Sequence, residues 1–132
     1  MCCAFALMGA AFPMLSDGQP RGARPAQPPL IRSEACPRDA LALPADAVAA
    51  ASRVALTTER SDDRPRIIAA GLADHGAPRE EMVLASCGRH IWHRTVAVAI
   101  DLRRHHPSAS LSERVSFVAR TRSGYAVFAI GH

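Results

Sequence analysis

Cys87, His90 and His93 stand at three-residue intervals, the densest run of metal-ligating and nucleophilic side chains in the sequence. Thiolate and imidazole are good ligands for zinc or copper. The spacing works against a site on a strand, because an odd separation sends His90 and His93 to opposite faces. A bulge at Gly88 can turn Cys87 toward one of them, and His105, His106 or His132 must then complete the shell. No standard zinc spacing is met. Exposed histidines at strand ends are the plainer expectation, and no cofactor is expected beyond that conditional zinc or copper. Cys87 also has a rival partner. Cys36 and Cys87 are the two cysteines of residues 36–132, and in an exported protein an even pair reads as a disulfide. Such a bridge would tie the segment before the first helix to the middle of the sheet and remove Cys87 from metal and nucleophile chemistry.

Hydrolytic chemistry finds little support. A cysteine nucleophile needs an activating histidine and a third group to orient it. Cys87 with His90 or His93, and Asp101 or Asp74, is the set available, and neighbours along one strand are poorly placed for it. The Gly-x-Ser-x-Gly elbow of serine hydrolases is absent. The eight glycines are scattered rather than gathered into a phosphate loop. Glu80 and Glu81 are adjacent rather than facing. The balance leans toward binding and away from catalysis, with no catalytic residue assigned.

Charge offers a second lead. Sixteen basic residues face 12 acidic ones, a net charge of +4, and every basic residue is Arg. Residues 89–122 hold seven arginines against Asp101 and Glu113. Arg94, Arg103, Arg104, Arg120 and Arg122 are the candidate polyanion-binding set. Nucleic acid is disfavoured as the polyanion, because stacking aromatics are scarce there, only Trp92 and Tyr125. The chain also has no Lys, no Asn and 26 Ala, so a general substitution of Arg for Lys accounts for these positions equally well.

The elements that must position these residues begin late in the chain. Residues 2–15 carry no charge. That run is too short to span a bilayer and suits the apolar region of an export signal, although the basic residues that normally precede one are missing. Residues 16–35 contain Pro20, Pro25, Pro28 and Pro29 and read as an extended linker. The expected organisation is therefore a signal-like segment over 1–15, a linker over 16–35 and a folded domain over 36–132. Leu, Ile, Val and Phe together number 28 of 132 residues, enough for one modest core.

Within the domain, Pro44 and Asp46 mark a helix start. Leu41, Val48, Ala51, Ala55 and Leu56 fall near one face, and the helix ends at Thr57–Thr58. Strands are expected at Arg66–Ala73, Met82–Cys87 and His90–Arg103, with a turn at 74–78. In the last strand Trp92, Val96, Val98, Ile100 and Leu102 face the core. Its other face, with Ala97 and Ala99, is wet or lightly covered. Residues 113–122 and 125–131 form a hairpin about Ser123–Gly124, pairing Phe117 with Ile130 and Ala119 with Phe128. The result is an α+β domain, one short helix on a four- or five-stranded antiparallel sheet. Its element order resembles that of cystatin-like and NTF2-like domains, a likeness that carries over no residue. The functional expectation is an exported or weakly tethered binding domain for a protein or small ligand. Its place is extracytoplasmic, with membrane contact only through the N-terminal segment; without export it is cytoplasmic. A polyanion module and a Cys/His metal domain are the alternatives.

Overall fold

A helix follows Pro44 and Asp46 as expected, but neither residue lies in its first turn: Asp46 stands at the N-cap without a side-chain hydrogen bond, and the Ala47 amide donates to the Pro44 carbonyl at 3.1 Å. In the computed structural model, which describes residues 31–59, 64–102 and 113–132, this helix is α1, Ala47–Thr58. The signal-like segment, most of the linker, Arg103, Arg104, His105 and His106 lie outside the described residues. Thr57 and Thr58 return their hydroxyls to the carbonyls of Arg53 and Val54. Serving the helix's own carbonyls in this way is how such residues occupy a last turn. Just beyond, Glu59 Oε1 meets Arg114 Nη1 at 3.3 Å and ties the helix end to the sheet.

The rest of the described chain comprises β1 (Arg66–Leu72), a 3-10 turn (Ala73–His75), α2 (Glu80–Trp92), β2 (Thr95–Asp101), β3 (Glu113–Thr121) and β4 (Gly124–Gly131). The strands form one antiparallel sheet in the order β1-β2-β3-β4. The α+β class and the antiparallel sheet are as expected. Two local assignments are corrected. Met82–Cys87 is helical, and the strand expected from His90 begins only at Thr95. Glu80 and Glu81 occupy the first turn of α2, and Arg89 and His90 the last, the distribution that complements a helix dipole. Gly88, at φ 80° and ψ 172°, interrupts the helix just after Cys87. It acts as a break inside the helix rather than as a bulge after a strand.

The sheet is covered on both sides. On one side, Ala47, Ala51 and Ala55 of α1 pack against Val96, Val98, Ile100, Leu102 and Val118. Small side chains let the helix lie close over the strands. On the other side, Met82, Val83 and Ile91 of α2, joined by Ile31, cover Ala97, Ala99, Val115, Phe117 and Ala119. The face of β2 expected to be wet is therefore interior, and Thr95 through Ile100 are all buried. Ile31, counted with the linker on sequence, belongs to this core.

The hairpin forms, but out of the expected register: Ala119 pairs with Ala126 rather than Phe128, two residues off near the turn, and Phe117 with Ala129 rather than Ile130, one residue off beyond it. Thr121 pairs with Gly124, so Arg122 and Ser123 make the turn. Gly124 has φ 113°, a conformation that glycine adopts without steric cost. The register then shifts between Phe117 and Val118: Val118 pairs with Val127, but Phe117 pairs with Ala129. Phe128 is the extra residue of a β-bulge, and both Phe128 and Ala129 pack on the α2 side.

Candidate functional site

The bulge decides what lies at the end of β4. Two successive side chains on one face widen the strand's footprint, and the Phe128 ring sits 6.4 Å from that of Phe117. Gly131 lies next in line beside Met82: a Cβ there would stand 3.1 Å from Met82 Sδ. The absence of a side chain thus lets the methionine reach the sheet. Opposite them, residues 31–36 cross as a strap with one 3-10 turn, Ser33–Ala35.

Between strap, helix and strand lies a cavity of about 270 Å³, lined by Ile31, Arg32, Ala35, Met82 and Phe128–His132. Most of that lining is apolar. Arg32 supplies a charge and is exposed. Ile130 is 47% exposed at the same end of β4. Arg79 donates a hydrogen bond to the carbonyl oxygen of His132. Among the described strands β4 has a neighbour on one side only, so its outer main-chain groups run along the sheet edge beside the cavity.

The strap is held covalently. Cys36 and Cys87 form a disulfide with a Cα–Cα distance of 5.5 Å, joining residues 51 apart in sequence. This is the pair expected from the cysteine count. The Ile31 amide also donates to Ser86 Oγ at 2.9 Å. Further along, the Leu41 amide donates to the Arg120 carbonyl at 2.8 Å. Arg120 Nη1 donates to the Ala42 carbonyl at 3.2 Å.

The bridge leaves no thiolate at Cys87. The other two members of the sequence cluster turn to different partners. The Arg94 guanidinium lies on the His90 ring, with Nη1 2.9 Å from Nε2. His93 Nδ1 lies 3.0 Å from Asp74 Oδ2, and the His93 ring leans on Trp92 with centroids 4.9 Å apart. Asp74 Oδ1 is also 3.8 Å from His75 Nε2. Among the described residues no group of three or more His, Cys, Asp or Glu is arranged to hold a metal ion.

The arginine set is divided. Arg94 precedes Thr95, which pairs with Ala119, so Arg94 and Arg120 share one end of the sheet with Arg122 in the adjoining turn. Two of these guanidinium groups are already engaged, Arg94 with His90 and Arg120 with Ala42. Arg103 and Arg104 lie outside the described residues.

Sequence reading did not reveal the cavity. Its one available signal was the pair Gly131 and Phe128, a missing side chain and a large one near the end of a strand, and neither indicates a bulge. No protein-family model matches the chain, and no curated protein or solved structure matches it. No described helix is long and apolar enough to cross a membrane.

Proposed function

We propose that this chain is an exported, disulfide-stapled binding domain, and that the cavity at the end of β4 takes an apolar side chain from an extended segment of a partner protein. The observation that carries this reading is the apolar cavity of about 270 Å³ opening beside an edge strand. An edge strand offers unpaired main-chain donors and acceptors to an extended peptide, while a pocket selects one of its side chains. The volume lies just under the range typical of drug-sized ligands, which suits a single side chain better than a larger molecule. Export is supported by the Cys36–Cys87 bridge, since disulfides persist in oxidising compartments, and by the uncharged stretch at residues 2–15.

N-acetyl-leucine amide and N-acetyl-phenylalanine amide are the probes. Titrated into isotopically labelled protein, they are expected to shift the amide resonances of Ile31, Met82 and Phe128–Gly131. Ile130→Asp, a change at an exposed position, is expected to weaken that response without altering the fold. Shifts scattered over the surface, or none at these residues, would refute the pocket. Export has its own test, the intact mass of the chain expressed in bacteria with its own N-terminus. The expected mass lacks the N-terminal segment and two hydrogens. A full-length chain with alkylatable thiols at Cys36 and Cys87 would refute export.

A further inference from the structure

We propose that the Cys36–Cys87 bridge is a redox latch: its formation builds the pocket, and its reduction frees the strap while α1 and the sheet remain folded. As regulation of the pocket this rests on the binding reading above; the movement of the strap does not.

The strap is anchored at two places of different strength. Downstream, Leu41 and Ala42 are hydrogen-bonded to Arg120 of β3, and Ala40 is buried. Pro37, Arg38 and Asp39 lie between that anchor and the bridge, the last two exposed. Upstream of them, the 3-10 turn buries none of its three residues. Apart from the bridge, the described contacts holding residues 31–36 to α2 are the Ile31–Ser86 hydrogen bond, the long 3.7 Å approach of Cys36 Sγ to the Ser86 carbonyl oxygen, and the packing of Ile31, Ala35 and Cys36. One hydrogen bond and one large apolar side chain are set against the conformational entropy of ordering the whole strap. Without the bridge, that balance favours release.

The rest of the fold does not depend on the strap. The core between α1 and the sheet contains no strap residue. On the other side, Met82, Val83 and Ile91 keep their own contacts with the strands. Cys87 is the last residue before the break at Gly88, so the attachment point lies at a natural end of the first helical segment. Release removes Ile31, Arg32 and Ala35 from the cavity wall and leaves Met82 and Phe128 without their cover.

The reductant is a dithiol. One of its thiolates attacks one sulfur of the bridge, breaks the S–S bond and expels the other cysteine as a thiolate. The second thiol of the reductant then displaces the mixed disulfide. Two electrons pass to the protein, Cys36 and Cys87 each take up a proton, and the reductant leaves as a cyclic disulfide. In an exported protein the order runs the other way. The strap is open in the reducing interior, and in an oxidising compartment a disulfide donor latches it: one cysteine thiolate attacks the donor's S–S bond, the other displaces the donor from the mixed disulfide, and the donor leaves as a dithiol carrying the two electrons and two protons.

Limited trypsin digestion of the full chain tests the latch, because Arg32 and Arg38 flank Cys36. Oxidised protein is compared with protein held in dithiothreitol and with the Cys36→Ser/Cys87→Ser variant. Cleavage after Arg32 and Arg38 is expected to quicken at least tenfold in both unlatched forms. Amide exchange in β2 and β3 is expected to quicken only as far as the lower global stability of the unlatched forms requires and to remain protected relative to the unfolded chain. Unchanged cleavage would overturn the latch, and so would loss of protection throughout β2 and β3, which would make the bridge a global staple. Titration of N-acetyl-leucine amide into both forms reads the regulation separately. At least tenfold weaker binding after reduction is expected, and equal binding would overturn the regulatory role. If the oxidised form does not bind while the strap still opens, the binding reading fails and the latch stands.

Discussion

Removing the bridge by Cys36→Ser/Cys87→Ser tests how much of the domain's stability is covalent. The cysteines are 51 residues apart, and the enclosed chain includes α1 and β1. On the chain-entropy account, closing a loop of that length stabilises the folded state by about 4 kcal/mol at 25 °C. A domain of this size has a total stability of about 5–15 kcal/mol, so the bridge supplies a large fraction without supplying all of it. The same free energy corresponds to a fall in melting temperature of about 20 °C. Urea unfolding of the oxidised protein and the double variant, followed by far-ultraviolet circular dichroism, measures the loss directly. The variant is expected to fold, to unfold cooperatively and to have a much lower midpoint. A midpoint close to that of the oxidised protein would refute the reasoning, either because the bridge does not form or because the unfolded chain is already confined without it.

Two further outcomes follow from the geometry. Gly88→Ala places a side chain at φ 80° and ψ 172° with no heavy atom within 4 Å of its Cβ, so the cost is backbone strain alone, about 1–3 kcal/mol; unfolding that shows no loss would mean the break in α2 can be rebuilt as continuous helix. Heparin retention tests the arginine set: because Arg94 and Arg120 are engaged, elution is expected below about 0.15 M salt, and strong retention lost on replacing Arg94, Arg103, Arg104, Arg120 and Arg122 would reinstate polyanion binding.

The elements visible in the sequence are those with a local signal. Pro44 and Asp46 announce α1, Ile67–Leu72 has the composition of a strand, and the apolar arms around Ser123 form their hairpin. Met82–Val83–Leu84 misled because three apolar residues in a row suit a buried strand as well as one turn of helix. The charges at the two ends of α2 carry the better signal, acids first and Arg89 and His90 last. Trp92 misled by coincidence: it stands in the same alternating register as Val96, Val98 and Ile100, yet it belongs to the helix. Ala97 and Ala99 were expected on a lightly covered face, but alanine does not distinguish open surface from a face hidden under another layer. The bulge at Phe128 has no sequence mark at all, because it is set by how β4 fits the end of β3. The cavity follows from that bulge and was hidden with it. The bridge was legible because only two cysteines stand within residues 36–132, and pairing them requires no knowledge of register.

The same composition explains why the two sides of the sheet are built differently. Large aliphatic and Phe side chains are few, and Phe117 is the largest that is wholly buried. On the α1 side the shortage costs little. A ridge of alanines lets a twelve-residue helix lie close against valines and isoleucines, so small side chains still exclude water. On the α2 side the first helical segment ends at the break after Cys87, and part of the sheet near β4 is left to a strap with little apolar surface of its own. Hydrophobic burial alone cannot order such a segment. A covalent tie can, because it limits how far the strap moves without requiring it to fill space. The cavity then persists where a longer helix or larger side chains would have closed it. On this argument the bridge and the pocket have one origin, and adding apolar bulk to the strap should do the work of both. Ala35→Leu is expected to raise the stability of the bridge-free double variant while weakening the binding of N-acetyl-leucine amide to the oxidised protein. If stability and binding rise together, the bridge and the cavity are independent features of the fold.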